Sequence, residues 1–424
     1  MNKMRARFYQ SFHAFTHKNY RIFWFGQLIS LIGTWMQSVS QPWLAYSITK
    51  SPFLLGVVGA LQFTPILIFS LFTGAYVDRL NKRYLIIGAQ LILAILAVFY
   101  SLLVFSGHIQ FWHILVLASL QGIVSAVEMP ARQSFIVELV GKDDLMNAIA
   151  LNSTIFNAAR IIGPAIAGIV MAKIGIAYCF LFNALSFIPV ITGLFFIKPL
   201  LIPKNETRKK ILLEIADGFR YIVRDKNLLQ TMLMVSIVST FIMNFNVLIP
   251  LFAKTVLKTN ETGFGYLMSC MGMGSFLGAL SIASKSKSGP QERILVGAAI
   301  AVSLIFILVG FNTFYFLSFL LIGLAGFLAV SFLTTANSIV QLKSNDDFRS
   351  RVISIYFFVN AGSIPFGNLF VGALCDHFGV KRSFIFIGLL VLILVLTLLW
   401  ITRKQMSNEL AAPDLLNLEL GKEG

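Results

Sequence analysis

Few side chains in this sequence offer chemistry, and the two of most interest are charged residues inside apolar stretches. Arg160 lies fourteen residues into the apolar run 147–172. A charge that deep in a membrane helix costs roughly 2.5–3.5 kcal/mol on insertion scales, so intramembrane ionisable groups are functional hypotheses by default. Ser153, Asn157 and Pro164 continue its helical face. Two readings follow. Either Arg160 faces a cavity, where it attracts an acidic substrate group or tunes a protonation site, or it clamps carbonyls between helices. Glu128 is the acid best placed to carry a proton, since no other carboxylate falls well within an apolar stretch. Arg132 is one helical turn away, so a local Glu–Arg pair competes with that role.

Uncharged polar residues form stripes. Gln27, Ser30, Thr34, Gln37 and Gln41 recur at steps of three and four, which is one face of a helix running about 21 Å at 1.5 Å per residue. Gln121, Ser125, Glu128 and Arg132 make a comparable face, as do Ser236, Thr240 and Asn244, and Thr334, Asn337 or Ser338, and Gln341. Such residues either hydrogen-bond between helices or wet a shared cavity. A further element is Gly74-Ala-Tyr-Val-Asp78-Arg79-Leu-Asn81-Lys82-Arg83. One acid with several bases in a short loop is physically a latch: Asp78 accepts bonds from a helix start or an Arg, while Arg79, Lys82 and Arg83 hold the loop at the headgroups. Asp78, Arg132 and Arg351 form a candidate gate network at one surface.

These groups must be positioned by membrane helices. Of 424 residues 57% are hydrophobic and 12% charged, against about 25% charged in a soluble domain. The apolar residues fall in blocks near the roughly 20 residues that cross about 30 Å of hydrocarbon. We expect twelve spans at 20–47, 52–77, 84–106, 110–131, 147–172, 178–197, 229–253, 262–284, 294–311, 313–340, 350–375 and 383–402. With the N-terminus inside, 27 of the 34 Lys and Arg lie in or beside inner segments. That is the positive-inside signature. The net charge of +16 therefore orients the chain against anionic lipid headgroups and implies no nucleic-acid partner.

The polar stretch 198–228 divides the chain, so the expected organisation is a cytoplasmic segment 1–19, a six-helix bundle 20–197, a linker 198–228, a second bundle 229–402 and a cytoplasmic tail 403–424. Ile211–Val223 reads as an amphipathic helix on the inner membrane face. The halves echo each other. Residues 144–152 align with 347–355, Asn157-Ala with Asn360-Ala, and Gly168, Gly175 and Phe180 with Gly372, Gly379 and Phe384, while Leu55-Gly56 matches Phe264-Gly265. Paired halves place a binding site near the midplane, between the bundles.

The loop at Gly74–Arg83 resembles the GxLaDrxGrRxxl signature of the major facilitator superfamily, with Tyr76 for the usual Leu and Asn81 for the usual Gly, where Asn suits a left-handed turn. Ala159-Arg160-Ile-Ile-Gly163-Pro164-Ala-Ile-Ala167-Gly168 is similar to the gxxxGPxxGG element of its antiporter branch. Small residues there, including Gly163 and Gly168, let helices pack closely, and Pro164 bends the helix. The Arg that the family carries in span 4 is replaced by Ala118. Gly33-Thr-Trp-Met-Gln-Ser, Glu128-Met-Pro130-Ala-Arg132-Gln-Ser-Phe and Asn147-Ala-Ile-Ala-Leu-Asn resemble the enterobactin-exporter-like and macrolide-efflux-like branch. The resemblance implies an all-α membrane protein of two pseudo-symmetric six-helix bundles, with spans 1, 4, 7 and 10 lining a central cavity. It also implies proton-coupled export of a small amphiphile such as a siderophore, drug or metabolite.

A lipid or lysophospholipid flippase on the same fold is the alternative. No enzyme is expected: the five His lie in terminal or outer segments, Cys179, Cys270 and Cys375 have no metal-ligand spacing, and no nucleotide-binding loop occurs. No metal or other cofactor is expected. The fold needs no second copy to form its cavity, which predicts a monomer in the inner membrane with both termini cytoplasmic.

Overall fold

Long apolar runs separated by short polar breaks fold, in the computed structural model, as a helical bundle whose described residues are 12–77, 80–198, 211–284, 289 and 291–420. The helices are α1 Lys18–Thr49, α2 Pro52–Val77, α3 Lys82–Phe105, α4 Phe111–Val140, α5 Leu145–Lys173, α6 Ile176–Phe196, α7 Ile211–Arg224, α8 Lys226–Phe241, α9 Phe245–Leu251, α10 Glu261–Ser284, α11 Glu292–Phe311, α12 Tyr315–Lys343, α13 Asp346–Phe378 and α14 Val380–Leu420. No strand occurs among the described residues. Among the described residues, eleven segments are long and apolar enough to cross a membrane. The twelfth long helix is α1, whose 32 residues carry the glutamine stripe.

The expected spans match these helices, with three differences. Span 7 is not one helix: α8 ends at Phe241, α9 begins at Phe245, and a π-turn over Phe252–Val256 completes the crossing. Residues beyond 402, expected as a separate tail, continue α14 to Leu420. Asn81, expected in a left-handed turn, instead has φ −74° and caps α3, its side chain accepting from the amides of Arg83 and Tyr84 at 3.1 and 3.4 Å. The cap is what an Asn at a helix start does best, because its side-chain oxygen satisfies orphan amides.

Helices α1–α6 pack mainly on one another, with α1 against α5 and α6, and α4 against α2 and α3. The same holds for α8–α14, where α10 lies on α12 and α14 on α11. Two seams join the sets: α2 on α13 and α5 on α10. Both use glycines where a side chain has no room. A Cβ at Gly265 would sit 2.5 Å from the Pro164 carbonyl and 2.8 Å from the Gly168 Cα, and a Cβ at Gly372 would sit 3.1 Å from the Gly56 Cα. These are the glycines of the sequence echo, so the internal repeat corresponds to a repeated contact. Lys50 and Lys258, each just past the first crossing of its half, both take a left-handed backbone with φ of 53° and 50°.

The linker helix α7 does more than lie flat. Tyr221 stacks on Phe348 at 4.7 Å and its hydroxyl accepts from the Asn345 amide at 3.1 Å. Ile222 is buried. The helix is thereby docked on the start of α13.

Candidate translocation pathway

The bundle has a basic end, where α1 starts and residues 80–82, 141–144 and 343–345 turn, and an opposite end at residues 50, 174, 258 and 379. At the opposite end the two sets of helices are bolted together. Trp43 of α1 stacks on Phe264 of α10 at 4.9 Å, and its indole N–H donates to Glu261 at 3.2 Å. Lys254 lies over the Trp43 ring at 4.6 Å and the Tyr46 ring at 5.7 Å, and donates to Ser47 at 2.6 Å. Ser51 donates to Asp376 near the end of α13 at 3.2 Å, which gives this acid a partner across the seam. Cation–ring contacts of this kind strengthen when desolvated.

Along α5 this closure ends at Arg160. The face of α5 that meets α10 runs through Gly168, Pro164, Ile161 and Arg160, with the Ile161 carbonyl accepting from Ser269 at 2.7 Å and Arg160's carbonyl against Gly272. Continued at helical steps toward the basic end, the same face is Asn157, Ser153, Ala150 and Met146. Ser153 and Ala150 are exposed, and Met146 is 81% exposed. Arg160 therefore sits where the packed part of this face gives way to its exposed part, which we read as the apex of a crevice between the bundles. Its guanidinium carbon is 5.8 Å from the Trp35 ring centroid, and Phe156 meets Trp35 edge-on at 5.7 Å. The Arg160 Nε is buried with no hydrogen-bond partner. Gly163, next on the inner face of α5, lets α1 approach at Trp35 and Ile32.

The polar stripes divide between packing and surface. Gln37 accepts from Asn183 at 2.7 Å and donates to Gln121 at 3.2 Å, tying α1, α6 and α4 inside the first bundle. Gln27 and Gln41, each 1% exposed, have both amide atoms buried without a partner. Thr34, Thr240 and Asn157 bond back to their own helices, and Ser125 is half-buried on α4. Asn244 stands in the break between α8 and α9; its Nδ2 donates to the Thr240 carbonyl at 2.6 Å while its Oδ1 is buried and unpaired. Thr334 accepts from Ser338 through its carbonyl, and Asn337 accepts from Gln341.

Glu128 is buried within the first bundle, held by Gln90 at 3.2 Å and by Arg132 at 3.4 Å. Of the gate residues, Asp78 and Arg79 lie outside the described residues, and Gly74 belongs to the last turns of α2. Arg83 donates to the carbonyls of Leu194 and Phe195 at 2.6 and 2.7 Å, capping α6. Arg351 pairs with Asp217 of the linker helix at 3.9 Å and lies over Phe348. Arg132 thus binds within its own half, and Arg351 is engaged by the linker helix.

Sequence reasoning missed three features. The Trp43–Lys254–Glu261 cluster was invisible because Trp43 lies more than 200 residues before its two partners. The break at Asn244 has no Gly or Pro to announce it. The third is a clip on the N-terminal segment, in which His13 and His17 each meet one oxygen of Asp144 at 2.7 Å. These bonds hold the Asp144 carboxyl below its ordinary value of 3.8.

A two-bundle helical protein with a glycine-packed seam, a crevice at one end and a bolt at the other is a membrane transporter of the major facilitator type. The chain belongs to the transmembrane secretion effector family of that superfamily, whose family model matches residues 9–419. It is 27% identical to the staphyloferrin A transporter of Staphylococcus aureus over 91% of this chain and 96% of that one. It is 24% identical to the multidrug efflux pump Tap of Mycolicibacterium fortuitum, over 89% and 94%, and 21% identical to macrolide efflux protein A of Streptococcus pyogenes, over 87% and 92%. Among solved structures it is similar to the nucleoside transporter NupG, with TM-score 0.73 and 11% identity over 90% of this chain and 98% of that one. It is also similar to an inward-facing bacterial homologue of the human lysosomal transporter Spinster, with TM-score 0.70 and 14% identity over 91% and 96%.

Proposed function

We propose that the protein is a secondary active exporter of a small amphiphilic molecule, working by alternating access. The observation that carries this is the asymmetry of the seam: bolted at one end through Trp43, Lys254 and Glu261, exposed at Ser153, Ala150 and Met146 of α5 toward the other. The bundles 20–197 and 229–402 rock about the glycine crossings, and the linker 198–228 joins them. The excess of Lys and Arg at the basic end makes that end cytoplasmic, with both termini on that side, so the crevice loads from the cytoplasm. The names of the staphyloferrin, Tap and macrolide relatives support outward transport of siderophore- or drug-like cargo.

Protons drive the cycle, with Glu128 as carrier: its protonation releases Arg132, one turn away and near the basic end, from the pair that holds it. The protein works as a monomer in lipid. The test compares the small molecules released by cells with and without the protein, each with and without a protonophore. Export that appears with the protein and disappears with the protonophore is expected. An unchanged set of released molecules refutes export, and movement of labelled lysophospholipid alone would make it a flippase.

A further inference from the structure

The apex of the crevice holds an uncompensated cation. No described carboxylate forms an ion pair with Arg160, whereas Arg132 has Glu128 and Arg351 has Asp217. Glu128, the acid deepest in the spans, is already engaged by Gln90 and Arg132. The buried Arg160 Nε–H has no acceptor. A charge at mid-membrane is costly, faces the bundle interior or a wet cavity, and marks a substrate or ion pathway by default.

We infer that Arg160 recognises the substrate, and that the exported class is amphiphiles bearing a carboxylate or another oxyanion on an apolar, preferably aromatic, body. This rests on the exporter reading and gives it a substrate chemistry. The guanidinium offers a planar fork of donors that fits an oxyanion with two parallel bonds. Trp35 flanks that fork at 5.8 Å and Phe156 flanks Trp35, so a ring attached to the oxyanion finds aromatic faces beside its charge. The polar approach along Asn157 and Ser153 leads from the basic end to this point. A cationic amphiphile meets the opposite: a like charge at the end of a low-dielectric crevice.

The test uses the full-length protein in lipid nanodiscs with three probes of one skeleton: 1-naphthoate, 1-naphthyl phosphate and 1-naphthylmethylammonium. Naphthoate should bind at least tenfold more tightly than the ammonium. Arg160→Gln should bring both anions down to the ammonium's affinity, and Arg160→Lys should fall between. The order of the two anions tells carboxylate from phosphate recognition.

Equal binding of naphthoate and ammonium, naphthoate affinity unchanged in a normally melting Arg160→Gln, or binding of none of the three at millimolar concentration overturns the inference. Should Arg160→Gln fail to fold, Trp35→Leu decides: it must weaken naphthoate while keeping the preference for anions, and unchanged naphthoate affinity in a normally melting Trp35→Leu sinks the idea. Vesicle transport separates the two readings. Export of naphthoate at an unaltered rate in Arg160→Gln overturns anion recognition and leaves export standing. Arg160-dependent naphthoate binding without transport of any probe supports the site and counts against export alone.

Discussion

Removing the Trp43 side chain should unbolt the opposite end. In Trp43→Ala the stack on Phe264 is lost, worth about 0.5–1.5 kcal/mol. So is the cation–ring contact with Lys254, worth about 0.5–2 kcal/mol, and the hydrogen bond to the Glu261 carboxylate, worth about 1.5–3 kcal/mol. These share one side chain and do not add, so the closed arrangement loses about 2–4 kcal/mol relative to one parted there. At 1.4 kcal/mol per tenfold, that is roughly a 30- to 700-fold shift toward the state open at the opposite end. Thr262, which donates to the Gly168 carbonyl across the seam at 3.3 Å, reports the shift. A cysteine placed there, in a Cys270→Ala background that retains the buried Cys179 and Cys375, should react with a maleimide at least tenfold faster once Trp43 is Ala. Trp43→Phe keeps a stacking ring and should fall between. If the labelling rate stays at the parent value while the protein melts normally, the cluster does not hold this end shut.

Gly265→Val pushes a side chain into the Pro164 carbonyl, an overpacking of about 1–3 kcal/mol felt only where the seam is closed; turnover should drop at least fivefold, and Gly56→Val should do the same. Glu128→Leu leaves Arg132 and Gln90 facing an apolar group, costing about 1–3 kcal/mol and lowering the melting temperature. Glu128→Gln should melt near the parent yet lose proton-driven export at least tenfold, and full export in that variant removes Glu128 from the coupling path. Because its partners depress the Asp144 carboxyl below 3.8, the stabilisation it gives is complete at neutral pH and is lost as pH falls below that value. Thermal unfolding should show Asp144→Asn less stable than the parent at pH 7, with the gap closing below about pH 3.8; a gap of the same size at lower pH contradicts the clip.

Apolar run length was enough to read the helices, because lipid demands a fixed length of unbroken hydrogen-bonded backbone. The seam was half legible: Gly168 and Gly372 stood out as an echo, but that they meet Gly265 and Gly56 needed the fold. The site was read less well. Helical spacing says which residues share a face but not which neighbour that face meets. Gln37 thus joins Asn183 and Gln121 inside one bundle, and Glu128 turns to Gln90 on α3. Arg160 was legible because a mid-span charge is rare whatever surrounds it. Arg83 has the composition of a headgroup anchor, yet the α6 C-terminus supplies free carbonyls within its reach, and it binds those.

The glycine crossings have one further consequence. Each joins a second-helix element of one half to a fifth-helix element of the other, and the two crossings are related by the repeat. A lone six-helix half therefore carries both surfaces of the contact and is self-complementary, as a two-fold homodimer requires. A half-length ancestor would pair through this face before any fusion, and the two halves, produced today as separate polypeptides, should find each other in the bilayer and assemble along the same line.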